Sequence, residues 1–348
     1  MTRILLINQG HTDNLGDQAI DAVLGKFLNS KGYEVIHAPY ETRVEDRFNL
    51  RIDNHDLTQR IVMRLPHVMR RLNHTRIRTT LDQIGHVDAA VVGGGELLAS
   101  HWGFNAALLA WCQELRSHNI PILLTGVSGN YLGGTNATNY RKALCMCNYV
   151  SARDHSTERI LREQYDINCD YAPDVVFSYA KVFPEVSSST QNRAHELCVP
   201  IEFDRQLFTT MGITDEKEYI AYLAKQLTTT EKKLPVVVTS TITNDRHYPR
   251  IISKHLHDDF GLQTSTQTGE SLAGFIQLLQ SSTHVVSARM HACILALLFG
   301  CHITPVPFRE KLKVFGDEYQ SIDDIQTVIN ESYSGLLRLH AAIENAIS

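Results

Sequence analysis

Short apolar runs alternate along this chain with longer segments whose apolar positions recur at helical spacing. Strands buried on both faces of a parallel sheet read as such continuous apolar stretches, so the alternation predicts parallel α/β architecture. In the first half it predicts strands over 4–8, 34–38, 89–93, 122–127, 149–152 and 170–171. Helices fit 17–31, 57–81, 101–117 and 154–165. The stretch 181–193, with Ser187-Ser188-Ser189-Thr190 inside it, has linker composition. Strands resume over 196–200, 235–240, 263–264, 284–287 and 302–306. Helices fit 215–228, 245–258, 271–281, 292–299 and 322–347, the last broken near Ser334-Gly335. The pattern therefore predicts two Rossmann-like domains, over 1–182 and 194–330, with a C-terminal helix, 331–348, packing back on the first. A chain of 348 residues is also more than one core usually holds.

Composition narrows the function classes. A net charge of −5 gives no basic stripe of the kind that supplies nucleic-acid affinity, so nucleic acid is excluded as a partner and useful positive charge must be local. No apolar run approaches the roughly 18 residues that span a bilayer. The N-terminal run 4–7 is too short for a signal peptide and reads as a first strand. The seven cysteines show no paired metal spacing; Cys112, Cys293 and Cys301 lie in apolar surroundings and read as reduced, buried thiols. His255 and His257 fit a solvated helix face, and no metal site is expected. These features place the protein in the cytoplasm, with a peripheral position at the inner face of the membrane left open. So is the basic segment 60–78, containing Arg60, Arg64, Arg70, Arg71, Arg76 and Arg78. It fits a solvated helix face, a glycan or membrane dock, or a contact within a homo-oligomer.

Candidate chemistry lies where strands end, since open α/β sheets bind ligands outside their carboxyl edges. After the first strand, Asn14-Leu15-Gly16-Asp17 opens a helix. Asp17 reads first as a helix cap and otherwise as a base for an acceptor hydroxyl. Gly93-Gly94-Gly95-Glu96 follows the third strand as a loop that lets backbone N–H groups face a ligand or permits a tight turn. His101 stands nearby.

The tripeptide Ser-Ala-Arg closes strands at 151–153 and again at 287–289, where it continues as Met290-His291. Guanidinium grips carboxylate and phosphate bidentately, so Arg153 and Arg289 point to an anionic substrate. A structural ion pair of Arg153 with Asp154 or Asp174 is the alternative. His291 reads as an acid or as a structural histidine. Lys311, in Pro307-Phe308-Arg309-Glu310-Lys311, adds charge to the same pocket, whereas Arg309 and Lys313 fit a solvated turn.

Taken in order, these pieces resemble the polysaccharide pyruvyl transferase family. The matching motifs are Asn14-Leu15-Gly16-Asp17-Gln18-Ala19-Ile20, Gly93-Gly94-Gly95-Glu96-Leu97, Ala152-Arg153-Asp154-His155-Ser156, Ala172-Pro173-Asp174-Val175-Val176-Phe177, Ser287-Ala288-Arg289-Met290-His291-Ala292 and Pro307-Phe308-Arg309-Glu310-Lys311. Met290 and Ala292 stand where the family commonly has an aromatic residue and a glycine. The resemblance implies a GT-B-like fold with its active site in the interdomain cleft. It also implies transfer of a pyruvyl group from phosphoenolpyruvate to a sugar of a polysaccharide or its lipid-linked precursor, without a cofactor. Arg289, His291 and Arg153 carry over as donor-binding and catalytic residues and Asp17 as the acceptor-side carboxylate. Asn14, Gly16, Gly93, Gly94, Gly95, Glu96, His101 and Lys311 are the expected substrate contacts. A nucleotide-sugar glycosyltransferase and a non-catalytic binder of anionic glycans remain open as alternatives.

Overall fold

The computed structural model describes residues 1–40, 66–98, 102–130, 133–187, 193–228, 234–243, 245 and 247–348. Two units emerge from the contacts: Met1–His11, Ile20–Ser178 and Asn330–Ser348 form the first, Thr12–Ala19 and Tyr179–Ile329 the second. The segment Thr12–Ala19, counted with the first domain from sequence, thus groups with the second unit.

The first unit is built on a parallel sheet of β1 (Arg3–Asn8), β2 (Glu34–Pro39), β3 (Ala89–Leu98), β4 (Ile122–Gly129), β5 (Tyr149–Ala152) and β6 (Asp170–Tyr171). Its order is β2-β1-β3-β4-β5-β6. Ile4, Leu5, Leu6 and Ile7 are all fully buried, as expected of a central strand covered on both faces. The helices are α1 (Leu15–Ser30), α2 (Pro66–Ile84), α3 (Trp102–Ser117), α4 (Gly134–Leu144) and α5 (His155–Glu163). Asp154 caps α5 by accepting the Thr157 N–H at 2.7 Å.

The basic segment is only partly described: Arg60 and Arg64 lie outside the described residues. Two of its arginines have structural work. Arg76 donates to the Pro39 and Tyr40 carbonyls and lies over the Trp111 ring, while Arg78 donates to the buried carboxylate of Glu114 at 2.8 Å. Burial would raise the Glu114 carboxyl, but Arg78 and His74 outweigh it and hold it below the usual range.

The second unit carries the parallel sheet β11-β10-β7-β8-β9, formed by β7 (His195–Val199), β8 (Val236–Val238), β9 (Thr264–Thr266), β10 (Ser282–Ser287) and β11 (His302–Pro305). Helices α6 (Glu216–Leu227), α7 (His247–Asp258), α8 (Leu272–Gln280), α9 (Met290–Leu298) and α10 (Glu310–Tyr319) cover it. Its second core gathers Val286, Ala288 and Val306 with the aromatic residues Phe208, Tyr219 and Phe308.

The last helix, α11 (Ile325–Ile347), runs unbroken through Ser334 and Gly335. A Cβ at Gly335 would stand 2.4 Å from Ala172 Cβ, so this glycine permits close packing and does not interrupt the helix. Five cysteines are buried, and burial pushes the thiols of Cys198 and Cys293 up to about 12. Cys145 is exposed. Among the described residues no helix is long and apolar enough to cross a membrane.

Candidate active site

In the second sheet the chain runs outward from β7 to β9, then returns to the other side of β7 with β10 and β11. The strand order reverses between β7 and β10, which is where open sheets of this type bind ligands. Arg289 and His291 lie just past the carboxyl end of β10.

Arg289 occupies the cap position of α9 in extended backbone, with φ −123° and ψ 117°, and its side chain makes no capping bond. Ser287 fixes this turn. Its buried Oγ accepts the Arg289 N–H at 2.9 Å and donates to the Arg289 carbonyl at 3.1 Å. The Arg289 guanidinium is half-buried and has no hydrogen bond or ion pair among the described residues. Burial pushes it below its ordinary pKa and the charge of Arg309 pushes the same way, against Asp245, Tyr219 and Asp17. A cation desolvated in this way, with no bonded carboxylate, is stabilised by an arriving anion.

His291 follows in the first turn of α9, with its Nε2 buried. Its ring lies against the start of α1. A Cβ on Gly16 would stand 2.4 Å from His291 Nδ1 and 2.9 Å from its Cγ, so only glycine leaves the ring its place.

That start is set by Asn14, whose Oδ1 accepts the Gly16 N–H at 3.0 Å. Asp17 lies inside the first turn of the helix, three positions past the cap. Its Oδ2 accepts Asn14 Nδ2 at 3.0 Å and the Thr12 hydroxyl at 3.4 Å. The cap expected of Asp17 is therefore supplied by Asn14, with Asp17 as its reciprocal partner. The loop is tied to the exit of β8 by Leu15 N–H to the Thr241 carbonyl at 2.8 Å and Thr243 N–H to the Asp13 carbonyl at 3.0 Å. An antiparallel bridge pairs Asn14 with Ile242. The structure thus brings Asn14, Gly16, Asp17, Arg289 and His291 into one unit.

Other predicted residues fall elsewhere. Arg153, at the end of β5 in the first unit, donates through Nη1 to Asp174 Oδ2 at 2.7 Å, and the two side chains are 5% and 6% exposed. Asp174 also accepts the Val176 N–H at 3.0 Å, and its carbonyl accepts the Ser332 hydroxyl. The structural ion pair therefore forms, and Arg153 is not an open clamp like Arg289. Replacing Arg153 by methionine strands the buried Asp174 carboxylate and is expected to cost about 3–5 kcal/mol of stability, read by denaturant unfolding. A loss below about 1 kcal/mol would remove this assignment.

Gly93, Gly94 and Gly95 lie inside β3, not in a loop after it. Cβ atoms at Gly93 and Gly94 would stand 2.4 Å from Leu24 and Ile20 of α1, and Gly94 has φ +72°. These two glycines admit the helix against the strand, a packing role in place of the expected ligand cradle. Glu96 is half-buried in the same strand. His101 lies outside the described residues. Lys311 is exposed in the first turn of α10. Sequence reasoning missed Thr12, Asp245 and Arg309. The signal for Arg309 was its place just past a strand, the same place that singled out Arg289.

Comparison with known proteins decides the family. The sequence model for polysaccharide pyruvyl transferase matches residues 14–306. The chain belongs to this family. Membership of the polysaccharide pyruvyl transferases makes it a transferase acting in polysaccharide modification. No curated protein matches it. Among solved structures it is similar to UDP-GlcNAc 2-epimerase from Neisseria meningitidis bound to UDP-GlcNAc, at 12% identity and a TM-score of 0.52, covering 100% of this chain and 94% of that one. The S. aureus MnaA-UDP co-structure matches at 13% identity and a TM-score of 0.56, over 99% of this chain and 91% of that one. UDP-GlcNAc 2-epimerase from Methanocaldococcus jannaschii matches at 10% identity and a TM-score of 0.55, over 98% and 99%. At such identities the likeness shows the fold alone. Two parallel-sheet α/β domains of GT-B-like kind are what this pyruvyl transferase family member has.

Proposed function

We propose that this protein transfers the pyruvyl group of phosphoenolpyruvate to a sugar of a cell-surface polysaccharide or its lipid-linked precursor, forming a pyruvate ketal. The observation that carries the reading is the half-buried Arg289 guanidinium, without a hydrogen bond or ion pair among the described residues, two positions before His291 at the strand-order reversal. Phosphoenolpyruvate carries a carboxylate and a phosphate, the anions that suit such a cation.

In this reading His291 donates a proton to the methylene carbon of the enol, and a sugar hydroxyl attacks the adjacent carbon. Asp17, held by Asn14 and Thr12, accepts the hydroxyl proton. A second hydroxyl attacks the same carbon, and the carbon–oxygen bond to phosphate breaks. Over the whole reaction one hydroxyl proton replaces the one delivered to carbon, and the other leaves on inorganic phosphate. Arg289 steadies the anionic groups as charge moves to the departing phosphate.

The deciding experiment incubates the protein with phosphoenolpyruvate and a panel of lipid-linked and nitrophenyl sugars. A pyruvyl mass gain on an acceptor, matched by released phosphate, is the expected result. Absence of both across the panel would overturn the reading.

A further inference from the structure

Two adjacent strands of the second sheet end in the same way. β10 and β11 pair in parallel, with Ser287 opposite Pro305, and each runs into a helix whose cap residue is an arginine. Arg289 caps α9 and Arg309 caps α10, both in extended backbone and both without a side-chain capping bond. Such positions are ordinarily taken by Ser, Thr, Asp or Asn, whose side chains satisfy the helix's first N–H groups. An arginine cannot accept those bonds, so both positions forgo that stabilisation and place two cations at one end of one sheet.

Arg309 is exposed and has no hydrogen bond or ion pair among the described residues. Its guanidinium lies 5.5 Å from the centre of the Phe308 ring. That ring is itself fixed, buried and stacked on Phe208 with centroids 5.2 Å apart. The Thr210 hydroxyl donates to the Phe308 carbonyl at 3.3 Å. Arg309 is thus seated on a rigid base, and its charge is the strongest neighbouring influence on Arg289. Two like charges held together without a protein carboxylate bonded to either are stabilised by an anion that both can reach.

The geometry points to Arg309 as a second anion-binding residue that, with Arg289, grips the phosphate of the donor. The inference rests on the pyruvyl-transfer reading for the identity of that donor. Arg309 lies just past the residues 14–306 that the family's sequence model matches. The assignment also relocates the second cation expected from sequence. The partner of Arg289 in holding the anion is Arg309, from the neighbouring strand, while Arg153 is engaged with Asp174.

The test titrates phosphoenolpyruvate, and separately inorganic phosphate, into wild-type protein, Arg309→Gln, Arg309→Lys and Lys313→Gln. Lys313 is an exposed cation on the same helix and controls for general loss of charge. Arg309→Gln is expected to weaken both anions about ten- to a hundredfold, the worth of charge-assisted hydrogen bonds. Arg309→Lys should recover part of the affinity, and Lys313→Gln should bind as wild type. Equal affinities in wild type and Arg309→Gln would overturn the Arg309 assignment and leave pyruvyl transfer standing. So would a Lys313→Gln loss as large as that of Arg309→Gln, because the effect would then be general. A wild-type protein that binds phosphate through Arg309 yet ignores phosphoenolpyruvate would overturn the donor and retain the anion site.

Discussion

A Gly16→Ala protein is expected to fold normally and to turn over about a hundredfold more slowly, because displacing a catalytic group by an ångström can cost that much. The added methyl would stand 2.4 Å from His291 Nδ1 and 3.1 Å from His291 Cβ. The obstacle reaches the root of the imidazole and not only its tip, so a small rotation does not relieve it. On propensity alone the substitution in α1 should stabilise the helix by up to about 1 kcal/mol, so a loss of rate cannot come from the helix itself. The decisive control is the double variant. If Gly16→Ala acts through His291, then it should have little further effect on either stability or residual rate once His291 is alanine. Additive effects in the double variant would mean that Gly16 serves something other than the ring.

His291→Gln is expected to lower kcat by about 10²–10⁴, the usual contribution of a positioned acid or base. Phosphoenolpyruvate affinity should change little, because the anion contacts are assigned to Arg289 and Arg309. Glutamine keeps a polar side chain of similar size without the transferable proton. Steady-state kinetics with a direct donor titration separates the two quantities. A fall in kcat smaller than about tenfold would remove His291 as the acid. A loss confined to donor affinity would recast it as a binding residue.

Much of the framework was legible because parallel strands carry a strong signal. The runs at β1, β5 and β6 sit in the sequence almost as they do in the sheet. The elements missed had weak signals. The helix Gly134–Leu144 is rich in asparagine and threonine, and no side chain caps its start. The helix Glu310–Tyr319 begins with alternating charges that read as a turn, yet Leu312, Phe315 and Tyr319 bury a face at helical spacing. Glycine misled twice, within β3 and within α11. In both places an opposing helix or residue occupied the space, which no local pattern reveals. At the site, the sequence marked Arg289, His291 and Asp17 by position and chemistry. It offered Asp154 and Asp174 as partners for Arg153 without choosing the one 21 residues away, and it gave no sign that Arg309 would act on Arg289.

The two Ser-Ala-Arg tripeptides close strands in different settings. Both lie next to an edge strand, β5 beside β6 and β10 beside β11, but on the other side β10 pairs with β7, the first strand of its sheet, whereas β5 pairs with β4. The serines also differ in employment. Ser151 accepts the Gly126 N–H at 3.0 Å on the neighbouring strand, while Ser287 closes the turn of its own arginine. The same three letters thus end two strands whose neighbours differ on one side, and their serines do different work, one bracing the adjacent strand and the other closing the turn that presents Arg289.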